Sequence, residues 1–245
     1  MAVGADSLPA RAHRAFVDLH CHTSASFDSL AAPAGVVRAA ASRGLTHLAV
    51  TDHDRIDGAL AAREIARTGA PGLTVLVGQE VKTRDGDLIC LFLERSIPTD
   101  LSAAEAIADA RAQGGVVGIP HPFDRFRGSL LVEESMGEIA PTVDWVEAHN
   151  ARVMIGDGNE KAARFAAEHG LPGVAVSDAH SVLEVGVAYT VLDGDPSTPE
   201  GLLAALPTAQ LVTGRATYFV RLWTPLAKGV QRLRGNGRIR PAVPA

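Results

Sequence analysis

Asp18-Leu19-His20-Cys21-His22-Thr23 is the stretch from which the organisation of this chain can be worked out. The apolar residues 15–17 precede it, which predicts a short strand that runs into a turn. Because side chains alternate between the two faces of a strand, Asp18, His20 and His22 are expected to point the same way. Two imidazoles on one face can hold a metal at about 2.1 Å from each nitrogen, and Asp18 could orient one of the rings. The alternative is two surface histidines that are neighbours by chance.

The composition suits one large α/β unit. The chain has 245 residues, of which 47% are hydrophobic and only 4% aromatic, so the core is expected to consist of aliphatic side chains. This length is normal for a single α/β barrel and long enough to bury a large core. The net charge of −5 is uneven, because residues 201–245 hold seven basic side chains and no acidic one. The excess of carboxylates therefore precedes this segment, and a cation site would account for part of it.

Nothing in the sequence indicates export or a membrane span. Residues 1–14 lack the continuous apolar segment of a signal peptide and are predicted to be a flexible leader. No apolar run reaches about 18 residues, the length needed to cross a bilayer. The two cysteines, Cys21 and Cys90, do not make a disulfide framework, which suits a reducing compartment. We therefore predict a cytoplasmic protein with no membrane partner.

Short apolar strands alternate with helical segments along the chain. The Asp85-Gly86 pair predicts a hairpin, and not a helical crossover, between the third and fourth strands. About seven strand–helix units, mainly parallel, predict an α/β fold with a closed or nearly closed barrel. Strands are expected at residues 15–17, 45–50, 73–77, 88–93, 116–119, 143–146, 174–176 and 187–192.

Histidines and carboxylates stand where these strands end. The carboxyl ends of parallel strands lie on one rim of a barrel, so residues that are far apart in sequence are expected to converge there. A single histidine at a strand end is more often a structural hydrogen-bonding group, but the same pattern on six strands favours one common site. Crowded imidazoles and carboxylates destabilise each other unless a cation offsets them. The residues concerned are His20, His22, His53, Glu80, His121, Glu147, Asp178 and His180.

These motifs resemble those of the PHP family, named for polymerase and histidinol phosphatase. Five of them occur in order between residues 15 and 193: Asp18-x-His20-x-His22-Thr23, Thr51-Asp52-His53-Asp54, Gly78-x-Glu80, His121-Pro122 and Ser177-Asp178-Ala179-His180. The resemblance implies a distorted (β/α)7 barrel with two or three divalent metal ions at the C-terminal ends of the strands. It also implies phosphoesterase activity.

The resemblance assigns candidate metal ligands by position. A first metal would be held by His20, His22, Glu80 and Asp178. Glu80 would bridge to a second metal that is also held by His121. A third metal would be held by Asp28, His53 and His180. Asp18 and Asp52 are expected to lie behind these ligands and orient them.

The second metal site is less completely specified. Asp87 stands near the place where many PHP proteins have a further histidine ligand. It could bind the metal through oxygen, or it could be a plain turn residue. Glu147 and His149 are expected on the same rim, where one of them could complete the second site. Glu147 could instead only orient its neighbours.

The expected chemistry agrees with the resemblance. Imidazole and carboxylate ligands without thiolate suit Mn²⁺, Fe²⁺ or Zn²⁺. Paired metals bind phosphate oxygens, activate water and stabilise both the attacking and the leaving oxygen. We expect a metal-dependent phosphoesterase for a phosphomonoester or phosphodiester, whose partner is a small phosphorylated substrate or a short nucleic acid. The alternatives are a histidinol-phosphate phosphatase and a non-catalytic metal-binding module; no obligate protein partner is indicated.

The C-terminal region is predicted to close the barrel. Thr224 can cap a helix that begins at Pro225 and ends at Gly235, and Pro225 is expected to split it from the apolar residues before it. Residues 15–235 would then form the barrel with its closing helix, and residues 236–245 a basic tail. The basic residues here are either a solvated face or a binding surface for a polyanionic substrate: Lys228, Arg232, Arg234, Arg238 and Arg240.

The loop after His121-Pro122 carries two arginines, Arg125 and Arg127. A guanidinium matches a phosphate with two parallel hydrogen bonds, so one of them could orient the substrate beside the second metal. The alternative is that Asp124 pairs with an arginine in a plain surface turn.

Overall fold

The computed structural model describes residues 14–124, 133–217 and 219–239. Within them, seven strands form a curved sheet in which neighbours follow the chain order from β1 to β7. The strands are β1 (Arg14–Asp18), β2 (His47–Val50), β3 (Thr74–Lys82), β4 (Asp87–Leu91), β5 (Val116–Ile119), β6 (Trp145–Asn150) and β7 (Gly173–Val176). Two further strands, β8 (Tyr189–Asp193) and β9 (Gln210–Val212), continue the sheet beyond β1.

The sheet nearly closes into a barrel. The chain that follows β1 lies beside the chain that follows β7, with a parallel bridge between Cys21 and Ala179. Backbone hydrogen bonds of 2.9 Å and 2.8 Å join Asp178 to His20 and His22 to Ala179. These bonds bring the first and last strands together at the rim. The predicted α/β fold, a distorted seven-stranded barrel, is confirmed.

One strand runs against the others. β4 is antiparallel to both β3 and β5, whereas β1–β2, β2–β3, β5–β6 and β6–β7 pair in parallel. The hairpin predicted from Asp85-Gly86 is therefore confirmed. Because β4 is reversed, it begins at the rim where the parallel strands end. Its first residue, Asp87, consequently joins the strand ends.

Helices pack around the barrel. They are α1 (Pro33–Ser42), α2 (Asp57–Gly69), α3 (Ala103–Ala112), α4 (Glu133–Ile139), α5 (Gly158–Glu168), α6 (Pro199–Ala205) and α7 (Phe219–Leu233), with short 3-10 turns at Ala140–Thr142 and Leu206–Thr208. Leu48 and Val50 of β2 pack in the cluster that contains residues of α1, α2 and α3, whereas Ala49 packs in a second cluster with Trp145. This alternation places the strand residues of the second cluster inside the barrel, where Leu202 and Ala205 of α6 join them. Trp145 fills much of that space, in a position that only a glycine at 118 allows.

The C-terminal helix differs from the prediction. α7 is continuous from Phe219 to Leu233 and contains Pro225 in its interior, so the expected split at this residue is wrong. Thr224 does not cap a helix; its hydroxyl lies 2.6 Å from Nη2 of Arg152. A proline removes one backbone hydrogen bond from a helix, and burial of Ala227 and Gln231 supports the turn that follows it.

Several expectations about the ends of the chain are only partly within the described residues. The predicted leader lies outside them except for Arg14, which begins β1, and of the predicted tail only residues 236–239 are described. The proposed domain boundaries stay a prediction.

None of the described helices has the length and apolar character that crossing a bilayer requires. Cys21 and Cys90 are buried free thiols.

Candidate metal centre

The rim brings the nine predicted ligands together. They form three groups in which potential ligand atoms lie within 4.8 Å of one another, and His22 belongs to two of these groups. Most of these side chains are buried, and that of His53 is the most accessible at 11%. The groups are His20, His22 and Asp178; Glu80, Asp87 and His121; and His22, Asp28, His53 and His180. Their role as ligands stays a prediction.

The first group lies at the junction of β1 and β7. The Nε2 atoms of His20 and His22 are 2.9 Å apart. Asp178 Oδ1 lies 3.7 Å and 3.6 Å from them, and Glu80 Oε2 lies 3.3 Å and 3.2 Å from them. Asp178 adopts a left-handed backbone conformation with φ of 51°, which is uncommon outside glycine and belongs to the tight turn that presents its carboxylate.

The two imidazoles of this group turn their Nε2 atoms toward each other. His20 donates its Nδ1 proton to Glu147 Oε1 at 2.6 Å, which leaves Nε2 unprotonated in the neutral ring. Ser26 Oγ donates to Asp52 and accepts the backbone N–H of His53, so it accepts rather than donates toward Nδ1 of His22. Both Nε2 lone pairs therefore face two carboxylates, an arrangement that needs a cation or extra protons between them.

The second group is built on the hairpin. Glu80 lies on β3 opposite the start of β4, and its Oε1 is 3.1 Å from Nε2 of His121. Asp87 is buried; its Oδ1 has no hydrogen-bond partner in the described part of the chain, although Nζ of Lys82 lies 3.8 Å from it. Burial, followed by the nearby charge of Glu80, raises the pKa of Asp87. A buried carboxylate oxygen without a hydrogen bond, beside a second carboxylate, fits a cation site better than a plain turn.

The third group faces the polar loop after β1. Asp28 Oδ2 lies 3.4 Å from Nε2 of both His53 and His180. Nδ1 of His180 is held at 2.9 Å by the backbone carbonyl of Asp178, which leaves Nε2 available to a cation. Asp28 Oδ1 has no hydrogen-bond partner among the described residues. His22 belongs to this group as well, so the first and third groups adjoin.

Proton affinities reflect this crowding in the metal-free protein. Burial alone would lower the pKa of His20, but Asp178, Glu147 and Glu80 raise it well above the usual range. Burial likewise opposes the charged form of His53, but Glu80 and Asp28 raise its pKa to about 9. For His180, burial and the positive charge of Arg152 lower the pKa to about 3, which keeps its ring neutral. Protons thus occupy part of the space where the donor atoms could hold metal ions.

The donor set fits divalent transition metals. It consists of imidazole nitrogens and carboxylate oxygens, and the buried thiol of Cys21 belongs to none of the three groups. Ligands of this kind suit Mn²⁺, Fe²⁺ and Zn²⁺. Asp28 Oδ1 and Asp87 Oδ1 lack hydrogen bonds within the described residues, and the Nε2 atoms of His20 and His22 face each other. These atoms indicate where cations would be held. The number of metal ions and their identity stay a prediction.

Residues behind the ligands depart in part from the prediction. Asp18 does not contact the histidine rings; its oxygens accept backbone N–H groups of Ser177 and Gly186 at 3.0 Å and 3.1 Å. It therefore ties β1 to the segment after β7, and the ring of His20 is oriented by Glu147 instead. Burial raises the pKa of Asp18 to about 6 despite these hydrogen bonds. Asp52 reaches the ring of His22 only through Ser26, whose hydroxyl donates to Asp52.

Glu147 and His149 have separate roles. Glu147 accepts from the backbone N–H of His121 at 2.9 Å in addition to its contact with His20, so it orients its neighbours. His149 lies away from the three groups, with Nε2 2.8 Å from the carbonyl of Gly214. The β6–β7 pairing shifts register between Glu147 and His149, which breaks the alternation that would have placed both on one face.

Sequence reasoning missed three supporting side chains. Ser26 holds His22, as described above. Asn150 Nδ2 donates to Glu147 at 2.8 Å and to Asp178 at 2.9 Å, and its place at the end of β6 was the only available signal. Gln231 contacts the loop that carries Asp28. Arg125 and Arg127 lie outside the described residues, so their role in binding phosphate stays a prediction.

Known families match most of the barrel. Residues 18–134 match the PHP domain, and residues 156–211 match the PHP-associated domain. Two uncharacterised proteins of Methanocaldococcus jannaschii are similar in sequence. One is 32% identical over 176 residues, covering 71% of this chain and 68% of the relative. The other is 34% identical over 116 residues, covering 43% and 67%.

A relative with a described activity is more distant. The 5'-3' exoribonuclease of Haemophilus influenzae is 30% identical over 154 residues, which cover 56% of this chain and 50% of that protein. This chain therefore corresponds to about half of the exoribonuclease.

Solved structures share the fold. A two-domain protein from Bacteroides vulgatus, containing a predicted PHP-like metal-dependent phosphoesterase, superposes with a TM-score of 0.69 at 18% identity. The match covers 82% of this chain and 65% of that one. A lesion-specific endonuclease from Pyrococcus furiosus superposes with a TM-score of 0.61 at 17% identity, covering 81% and 58%. The sequence matches, the fold and the ordered rim motifs agree: this chain belongs to the PHP family.

Proposed function

We propose that this chain is a metal-dependent phosphoesterase that hydrolyses a phosphomonoester or phosphodiester of the nucleotide or nucleic-acid type. The observation that carries the proposal is the position of Glu80 among the three groups. Its Oε1 lies 3.1 Å from His121, and its Oε2 lies 3.2 Å from both His22 and His53. A carboxylate that reaches several imidazoles in this way can hold adjacent cations at a short separation.

The chain's own residues would hold and orient the cofactor. His20, His22 and Asp178 would hold one ion, Glu80, Asp87 and His121 a second, and Asp28, His53 and His180 a third. When bound, two or three Mn²⁺, Fe²⁺ or Zn²⁺ ions supply Lewis acidity toward phosphate oxygens and lower the pKa of water. Glu147 holds the ring of His20 in the tautomer whose Nε2 faces the site, and Ser26 does the same for His22.

Basic residues beside the third group support a polyanionic substrate. The ring of Phe27 lies 4.9 Å from that of His53. Lys228 Nζ and Arg238 Cζ lie 5.4 Å and 5.2 Å from the centre of the Phe27 ring. Two cations next to a cluster of carboxylates could contact phosphates that flank the scissile one. The exoribonuclease of Haemophilus influenzae, to which 56% of this chain is similar, also favours a nucleic acid as the substrate.

We also propose that residues 15–235 form one unit, with α7 closing the barrel. In support, Gln231 of α7 lies within hydrogen-bonding distance of the loop after β1, about 200 positions earlier in the chain.

The direct test is hydrolysis of bis-p-nitrophenyl phosphate and p-nitrophenyl phosphate with added Mn²⁺. Nucleotides, short oligonucleotides and histidinol phosphate follow as candidate natural substrates. We expect turnover that chelation abolishes and that Glu80→Ala lacks. Glu160→Ala, a change of the same kind at an exposed position on α5, should leave turnover intact.

The outcomes separate the candidate functions. Activity that survives chelation, or persists in Glu80→Ala, would overturn the metalloenzyme proposal. Preference for histidinol phosphate over every nucleotide and oligonucleotide would assign the alternative phosphatase. Metal binding without hydrolysis of any phosphoester would assign a non-catalytic module.

A further inference from the structure

Helix α7 lies outside both regions that match the PHP family models, yet it reaches the candidate metal centre. The matches cover residues 18–134 and 156–211, and α7 spans Phe219–Leu233. Its residue Gln231 is 2% exposed and is packed against the loop that follows His22. A buried polar side chain at this position has to be satisfied by specific partners.

Gln231 is surrounded by backbone carbonyls of that loop. Its Nε2 donates to the carbonyls of Ser24, Ser26 and Ser29 at 2.8 Å, 3.0 Å and 2.7 Å. The two N–H bonds of one amide are thus shared among three acceptors. The loop curls around this single donor group, and Asp28 lies within the stretch that it gathers.

A second residue from the same end of the chain holds the outer part of the loop. Asn236 Nδ2 donates to the carbonyls of Ser24 and Ala25 at 3.2 Å and 3.0 Å. Its Oδ1 accepts from Nη1 of Arg55 at 3.0 Å, which fixes the orientation of the amide. The contacts of Gln231 are therefore part of a docked segment.

The other side of the loop is tied to the third group. Ser29 Oγ donates to the carbonyl of His180 at 2.9 Å. Asp28 Oδ2 stands 3.4 Å from both His53 and His180. The reach of this carboxylate toward the two rings depends on the curled shape of the loop, because the backbone on either side of it is bound to Gln231.

We propose that Gln231 is a positioning residue for a divalent transition-metal ion held by Asp28, His53 and His180. This inference rests on the proposed metal function and extends it to a helix outside the matched family regions. Loss of the amide would leave buried carbonyls without a donor, and the loop would relax toward new partners. Asp28 would then approach His53 and His180 less closely, whereas the group of Glu80, Asp87 and His121 takes no ligand from this loop and would keep its geometry.

The experiment is a titration of the metal-free chain with Mn²⁺, followed by electron paramagnetic resonance and without substrate. Gln231→Met removes the donors and keeps a side chain of similar size. Asp28→Asn marks the equivalent of Mn²⁺ that belongs to the third group. Leu233→Ala, at a residue 91% exposed on the same helix, is the control.

We expect Gln231→Met to weaken one equivalent by about tenfold or more, the same equivalent that Asp28→Asn removes. The equivalent that belongs to Glu80, Asp87 and His121 should bind as in the unaltered chain, and Leu233→Ala should change none. Asn236→Ala should weaken the same equivalent to a smaller degree. It provides a second test if Gln231→Met does not fold, as judged by circular dichroism.

Three results would overturn the inference. These are unchanged Mn²⁺ binding in both Gln231→Met and Asn236→Ala, an equal loss of all equivalents together with a lower Tm, and an Asp28→Asn titration identical to that of the unaltered chain. Because binding is measured without turnover, failure of the proposed phosphoesterase activity leaves this test intact.

Discussion

Replacing Glu147 with glutamine should weaken metal binding at His20 and leave the barrel folded. Glu147 Oε1 lies 2.6 Å from Nδ1 of His20, while Oε2 accepts from the backbone of His121 at 2.9 Å and from Asn150 at 2.8 Å. All three partners place an N–H group beside the oxygens of this carboxylate. Glutamine has one oxygen and one NH₂ group, so at least one of these donors would face another donor.

The size of the effect follows from the bond that is lost. A hydrogen bond to a charged group contributes about 1.5–3 kcal/mol, and each 1.4 kcal/mol is about a tenfold change in affinity. Replacing the partner of a ligating histidine costs about 10–100-fold in metal affinity in other proteins. We therefore expect Glu147→Gln to weaken Mn²⁺ binding by about 10–100-fold, because His20 loses both its fixed tautomer and its fixed orientation.

The assay is calorimetric titration of metal-free protein with Mn²⁺ at constant pH. Glu160→Gln makes the same chemical change at an exposed site on α5 and serves as the control. Its binding curve should match that of the unaltered chain. If Glu147→Gln binds Mn²⁺ as tightly as Glu160→Gln, then Glu147 does not orient His20 for a metal and the reasoning is wrong.

Three further predictions concern pH, salt and packing. Because the pKa of His53 is about 9, a metal must displace the proton of this ring at lower pH. Mn²⁺ affinity should therefore rise with pH up to that value, by as much as about tenfold per pH unit. A calorimetric titration in which the affinity falls over this range would contradict this. Changing both Lys228 and Arg238 to alanine should weaken oligonucleotide binding and make the affinity less dependent on salt concentration, as measured by fluorescence anisotropy. An unchanged salt dependence would show that the two residues belong to a solvated face. Gly58→Ala should lower the free energy of unfolding, measured by urea denaturation, by about 1–3 kcal/mol, because the added Cβ would lie 2.0 Å from Asp52 Oδ2. An unchanged unfolding curve would show that Asp52 can move away without cost.

Local sequence signals were sufficient for the barrel. Short apolar strands, helix boundaries and the Asp85-Gly86 turn each depend on neighbouring residues, so they predicted the alternating elements and the reversed fourth strand. That reversal also brought Asp87 to the rim. The convergence of His20 with Asp178 followed from the rule that parallel strands end on one side of a barrel.

Features that depend on distant contacts were not accessible in this way. Gln231 donates a hydrogen bond to the carbonyl of Ser24, which is 207 positions earlier in the chain. Neither residue belongs to a motif that indicates the other. His149 was expected on the rim by alternation, but the irregular register after Glu147 turns it toward Gly214. The continuity of α7 through Pro225 likewise depends on packing against the barrel and not on the helix's own sequence.

The central claim is that Glu80 joins adjacent metal ions in one centre. Elemental analysis of gently purified protein tests it most directly, with transition metals counted per chain in the unaltered protein and in Glu80→Ala. We expect more than one metal ion per chain in the unaltered protein, and a loss of metal in Glu80→Ala without a change in its circular dichroism spectrum. One ion or fewer in the unaltered protein, or the same metal content in both proteins, would contradict it.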